Sequence, residues 1–130
     1  MLDERQFAEL LKQSGFTTGC SKRGRLLRLD GRGTLVDLNS DWLEQILQCS
    51  ALRELYLPHA KDMLNGHGAE LLGLAALKVL DLEGSDFNDD AVLQLVGHPN
   101  LQVLNVRSTR VTADCVAGLR KVMIGTRIIF

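Results

Sequence analysis

The sequence predicts an α/β fold, a short solenoid with a parallel sheet on its concave face, helices on its convex face and a capping helix at its N-terminal end. Three observations lead there. The motif L-x-x-L-x-[LV] occurs three times, at Leu52, Leu55 and Leu57, at Leu77, Leu80 and Leu82, and at Leu101, Leu104 and Val106, with starts 25 and 24 residues apart. The segments between these motifs carry apolar residues in matching columns. The core stock is aliphatic: 45% of the 130 residues are hydrophobic, yet there are only 4 Phe, 1 Trp and 1 Tyr, which suits stacked leucine layers.

Taken in chain order, residues 4–14 place Phe7, Leu10 and Leu11 at helical spacing, the pattern of an amphipathic helix that covers the first unit. Ser21, Lys22, Arg23, Gly24 and Arg25 follow as a polar connector. The expected organisation is therefore a cap and connector over residues 1–25 and an array of about four to five units over residues 26–130. The first unit is degenerate, with Leu26 and Leu29 in place but Gly31 at the sixth position. An alternative makes residues 26–38 a hairpin, because Asp30 followed by Gly31 is a hairpin turn signal. The last unit, stepped 24 residues on from Leu101, keeps only Ile128 and Phe130 of its motif.

Counted back from each strand start, fourteen residues before stand Leu38, Met63, Phe87 and Val111, and nine before stand Leu43, Gly68, Val92 and Val116. Six before are Ile46, Leu71, Leu95 and Leu119, and five before are Leu47, Leu72, Val96 and Arg120. The inner columns have the spacing of one helical face, preceded by one apolar plug in a loop. Asn39, Asn88 and Thr112 mark helix starts, each with an aspartate two residues later (Asp41, Asp90, Asp114) to complement the helix dipole. The second unit has Leu64 and Gly66 instead, so its helix is expected to start late or give way to a looser turn.

From about residue 26 to residue 130 this pattern resembles the leucine-rich-repeat family, and most nearly its ribonuclease-inhibitor-like, cysteine-containing subclass, in which a cysteine stands three residues before the strand. Cys49 fits that place, whereas Leu74, His98 and Val122 depart from it. The resemblance implies a non-catalytic protein-protein interaction module or scaffold. It also implies, as an alternative, an adaptor such as a ubiquitin-ligase substrate receptor, for which residues 1–25 are shorter than the usual F-box recruiting domain. A further alternative, a structural subunit that docks into a larger complex through its C-terminal sheet edge, is suggested by Ile128, Ile129 and Phe130 without a polar closing cap.

Composition argues against other classes. The net charge is −1, which gives no global attraction to nucleic acid or anionic membrane. No apolar run reaches the roughly 18 residues of a membrane span. Asp3, Glu4 and Glu9 stand where a leader would be basic, so an intracellular, cytoplasmic protein is expected. Cys20, Cys49 and Cys115 share no metal or disulfide spacing and read as reduced thiols, Cys49 and Cys115 as inert packing residues and Cys20 as the more exposed one. His59, His67 and His98 form no HxxxH relation, and His98 reads as a structural histidine. No metal, cofactor or catalytic set is expected. Gly31 and Gly33 lack the third glycine of a dinucleotide fingerprint and read as a turn with positive φ. Lys22, Arg23 and Arg25, extended by Arg28 and Arg32, have no aromatic residues interleaved for base stacking and read as a solvated connector, not a nucleic-acid site.

The functional surface follows from strand alternation. If the first, fourth and sixth motif residues face the core, the third, fifth and seventh project to the opposite side. The partner-binding candidates are then Glu54, Tyr56, Val79, Asp81, Glu83, Val103, Asn105, Arg107 and Arg127, with Pro58, Arg110 and Ile129 beside them. An apolar strip flanked by an acidic middle and a basic end suits a polypeptide of mixed charge. A second expectation concerns the last strand, with nothing in the chain to cover its outer side and Val122, Ile124 and Ile128 nearby: self-association or a subunit contact through this C-terminal edge, or continuation in a longer protein.

Overall fold

Aliphatic residues set 24 to 26 positions apart along the chain come to lie side by side. Leu29, Leu55, Leu80, Leu104 and Ile128 are directly opposed across five parallel strands, and all five are buried. The computed structural model describes residues 2–34, 38, 40–58 and 64–130. Within them a single six-stranded sheet runs in chain order: β1 (Thr17–Cys20), β2 (Leu26–Asp30), β3 (Glu54–Tyr56), β4 (Val79–Asp81), β5 (Val103–Asn105) and β6 (Arg127–Ile129). Parallel neighbours need a crossover. Helices α2 (Ser40–Ile46), α3 (Gly68–Gly73), α4 (Asp89–Leu93) and α5 (Ala113–Val122) occupy the crossovers, and α1 (Glu4–Gln13) precedes the sheet. The protein is thus α/β, with a mostly parallel sheet.

The columns counted from the sequence fill one continuous core. Leu43, Ile46, Leu71, Val92, Leu95, Val116 and Leu119 from the helical segments meet the strand leucines, and Phe87 and Val111 plug the loops. Removing such surface from water contributes roughly 25 cal/mol per Å². Met63, from the plug column, and Asn39, from the helix-start column, lie outside the described residues, as does His59.

Helix starts follow local chemistry. The side chain of Asn88 accepts the N–H of Ala91, and that of Thr112 accepts the N–H of Cys115, so both are N-caps. The second unit does start late: α3 begins at Gly68 after His67, which makes no side-chain cap. Its glycine is required by packing, because a Cβ on Gly68 would lie 2.8 Å from the carbonyl oxygen of Ala91 in α4 and 2.9 Å from Cβ of Gln94, which caps that helix. Asn65, which the late start leaves in the loop, ties the units together: its amide accepts the N–H of Asn88 at 3.0 Å and donates to the carbonyl of Asp86 at 2.9 Å. One unit further on, Asp89 repeats the tie, accepting the N–H of Thr112 at 2.7 Å and its hydroxyl at 2.8 Å.

The N-terminal segment departs from expectation. The cap α1 is present, with a capping box in which Asp3 and Gln6 exchange bonds, and Phe7, Ala8 and Leu11 are buried. The connector, however, is the turn of a hairpin: β1, not foreseen, pairs antiparallel with β2, and residues 21–25 close it. The alternative hairpin over residues 26–38 finds no free edge on β2, which is flanked by β1 and β3; residues 35–37 lie outside those described. Arg25 is drawn out of the supposed basic cluster by Glu4, whose carboxylate lies 2.6 Å from its Nε and also accepts the N–H of Leu26 at 3.0 Å. Neither Gly31 nor Gly33 has positive φ. Gly31 is needed for space, since a Cβ there would meet the Phe16 ring at 2.8 Å.

Candidate functional site

On the face opposite the leucine row the register aligns two rows of side chains. One runs Arg28, Glu54, Val79, Val103, Arg127, the other Asp30, Tyr56, Asp81, Asn105, Ile129. Beyond the strand ends, Arg32, Glu83 and Arg107 follow two residues after Asp30, Asp81 and Asn105. All nine candidate residues lie in these lines. Val79 and Val103 are adjacent and half-buried, while Glu83, Arg107 and Arg127 are exposed.

At the β2–β3 end the face is a locked cluster. The guanidinium of Arg32 lies 4.0 Å from the centre of the Tyr56 ring and that of Arg28 lies 5.2 Å from it, both within reach of a cation–π attraction. Asp30 holds Arg32 at 2.8 Å and Arg28 at 3.2 Å, while Glu54 accepts the Tyr56 hydroxyl at 2.8 Å and faces Arg28 at 3.6 Å. The Arg32 hydrogen bond, with further help from the Arg32 backbone and the nearby positive charges, outweighs burial and holds the Asp30 carboxyl below its usual range. Burial, reinforced by Glu54, pushes the Tyr56 phenol up, so the ring stays neutral. Arg28 and Arg32 were read from the sequence as an extension of a basic connector, and their place beside Tyr56 comes from the parallel pairing of β2 with β3.

In the middle of the face, polar residues serve the backbone first. Asp81 accepts the N–H of Glu83 at 3.0 Å and Asn105 accepts that of Arg107 at 3.0 Å, as Asp30 accepts that of Arg32 at 2.9 Å. These are Asx turns that end the strands. Asn105 is 8% exposed, and its amide donates to Asp81 at 3.3 Å and reaches Glu83 at 3.5 Å. Asn105 therefore supports its neighbours more than it offers a surface of its own. The turns had a signal in the sequence, a short polar side chain recurring at the fifth motif position, and the inward bonds of Asn105 had none. Tyr56 interrupts the series, and it is the aromatic centre of the face.

Arg107, Arg110 and Arg127 are exposed at the β5–β6 end and make no ion pair among the described residues. The outer edge of β6 is less open than the sequence suggested. The ladder to β5 uses the N–H of Arg127 and the C=O of Ile129, so alternation turns the groups of Ile128 outward, and Arg120 of α5 donates to that carbonyl at 3.1 Å. A cation on the only outward carbonyl of a three-residue strand blunts the edge.

Away from this face, His98 accepts the backbone N–H groups of Asn100 and Leu101 at its Nδ1 and lies 2.9 Å from the carbonyl of Leu74 through Nε2, a structural joint between units. Burial raises all three thiols, that of Cys49 to about 12, the opposite of what activates a nucleophile. Among the described residues no cluster of three His, Cys, Asp or Glu side chains could hold a metal ion, and no helix is long and apolar enough to cross a membrane. In comparisons with known proteins, no family model, no curated protein and no solved structure matches the chain.

Proposed function

We propose that the chain is a repeat module of the leucine-rich class, a short solenoid whose concave sheet face binds a polypeptide partner inside the cell, without catalysis. The observation that carries this reading is the composition of the in-register face: a Tyr56 ring clamped by Arg28 and Arg32, an apolar pair at Val79 and Val103, and charges of opposite sign at Glu83 and at Arg107 with Arg127. Aromatic and arginine side chains held rigid before contact lose little entropy on binding and form the usual energetic anchors of an interface. The partner segment that suits it carries an apolar side chain for the valines, a basic group toward Asp81 and Glu83, and an acidic group toward Arg107 and Arg127.

The test compares three forms of the folded chain as bait in an extract of its native cell: wild type, Tyr56→Ala with Arg107→Glu, and Glu70→Lys on the helix side. A partner retained by wild type and by Glu70→Lys but lost to the double variant supports the reading. Loss with Glu70→Lys and retention by the double variant would overturn it. A second reading, a subunit contact at the β6 end, is favoured by Ile124 and Phe130, which are 88% and 52% exposed. Lysine at those two positions would abolish capture if that end is the contact and leave it unchanged if the sheet face is.

A further inference from the structure

On the helix side, a groove of about 660 Å³ between α4 and α5 is lined by Leu93, Cys115, Gly118, Leu119 and Val122, with Asp89 and Asp114 at one end. Leu93 and Val122 are 51% and 61% exposed, large for aliphatic side chains that share one hollow. Gly118 sits in the middle of the ten-residue α5, where glycine is less favourable than alanine because it gives up more backbone freedom. Close packing within the chain justifies the glycine at Gly68. It does not justify this one, because a Cβ on Gly118 would meet nothing within 4 Å. The space that Gly118 leaves is therefore open to a backbone from outside.

The charges beside that space identify the occupant. Asp114 and Lys121, both exposed, stand seven residues apart on α5, two turns along one face, with Gly118 between them. Asp114 lies about 6 Å before Gly118 along the helix axis and Lys121 about 4.5 Å after it, from the helical rise of 1.5 Å per residue. A second α5 laid antiparallel, glycine against glycine, brings each Asp114 opposite the other copy's Lys121. The same operation brings Val122 of each copy toward Cys115 and Leu93 of the other. A two-fold axis through Gly118 satisfies both ion pairs and both apolar contacts at once and closes the assembly at two copies. We infer that the α4–α5 groove is a homodimer surface, occupied by α5 of a second copy of this chain. The inference is independent of the sheet-face reading.

The test is the mass of the full chain in solution, by light scattering and sedimentation over a wide concentration range. Wild type is expected to pass from monomer to dimer. Asp114→Lys alone and Lys121→Asp alone each place like charges opposite one another twice per dimer and should weaken association about tenfold or more. The double variant Asp114→Lys with Lys121→Asp exchanges the signs and should restore association to within a few-fold of wild type. Gly118→Leu should abolish the dimer while leaving the circular dichroism melt intact or raised, which separates a blocked surface from a damaged helix. A chain that stays monomeric to about 1 mM overturns the inference. So does a dimer that tolerates all these variants, or one in which the charge exchange fails to rescue; a dimer lost only with Ile124→Lys and Phe130→Lys would place the contact at the β6 end instead.

Discussion

At Asp30, Asp81 and Asn105 a short polar side chain closes a strand by accepting the N–H two residues on, while the residue just before each is a leucine of the buried row. Neighbouring positions thus carry different weights. Leu80→Ala or Leu104→Ala opens a cavity between filled layers and should cost about 2–5 kcal/mol. Asp81→Ala loses a turn bond at a half-exposed site and should cost about 0.5–1.5 kcal/mol. Urea denaturation of the three variants separates them, and equal losses at Leu80 and Asp81 would contradict the strand register. Asp30 adds a dependence on pH. Its folded value lies below the ordinary 3.8, chiefly through Arg32, so its bonds stabilise the fold above that ordinary value, and the contribution is lost as pH falls through the lowered one. Urea midpoints should therefore fall more steeply with acid in wild type than in Asp30→Asn, and parallel curves would show that this carboxylate carries no such linkage. The alternation of strand residues was legible at this scale, because the period of two needs only the motif. That Asn105 turns inward to its neighbours was not, since alternation assigns a side and not a hydrogen-bond partner.

Gly68 of α3 stands in an apolar column of the sequence and Gly118 of α5 stands outside one, and their surroundings differ as well. Gly68 begins α3 against the backbone of α4, with Ala91 oxygen 2.8 Å from where a Cβ would stand, and Gly118 faces open space. Gly68→Ala is expected to destabilise by about 1–3 kcal/mol through overpacking, whereas Gly118→Ala should stabilise by about 0.5–1 kcal/mol through helix propensity. Thermal melts of the two single variants, read below the concentration at which self-association sets in, test this pair, and a shared sign would show that the local spacing of α3 or α5 is wrong. Elements with a periodic apolar column were legible: α1, α2, α4, α5 and the five parallel strands fall where the spacing put them. Strand β1 was hidden for a physical reason. Thr17, Thr18, Gly19 and Cys20 are half-buried or exposed, so no hydrophobic alternation marks them, and their pairing is set by the turn at residues 21–25 and by α1 above it. The late start of α3 was legible because Gly66 and Gly68 replace the cap and column residues of the other units.

Across the whole molecule the strands follow chain order, so each unit is held by its neighbours and the two ends meet different conditions. At the N-terminal end, β1 extends the sheet, Phe7, Leu11 and Phe16 close the core at 4% exposure or less, and Glu4 fastens α1 to Arg25 and to the N–H of Leu26. At the other end β6 has one neighbour, its layer leaves Val122, Ile124 and Phe130 exposed, and the ladder of inter-unit ties from Asn65 and Asp89 reaches Ala113, which has no side-chain acceptor to continue it. Local opening costs least where few apolar contacts and few neighbours must be given up. The amides that join β6 to β5, Arg127 to the carbonyl of Gln102 and Val106 to that of Ile129, should therefore exchange with solvent hydrogen well before the amide of Arg53, which binds the carbonyl of Leu27 between β2 and β3. Native-state hydrogen exchange at low protein concentration reads this directly. If Arg53 exchanges as fast as Arg127, the N-terminal closure adds no protection, and the asymmetry drawn from Phe7, Phe16 and Glu4 fails. Slower exchange at Arg127 that appears only as concentration rises would place a second copy over that end, while slower exchange at every concentration would mean that the Arg120 contact to Ile128 alone secures the edge.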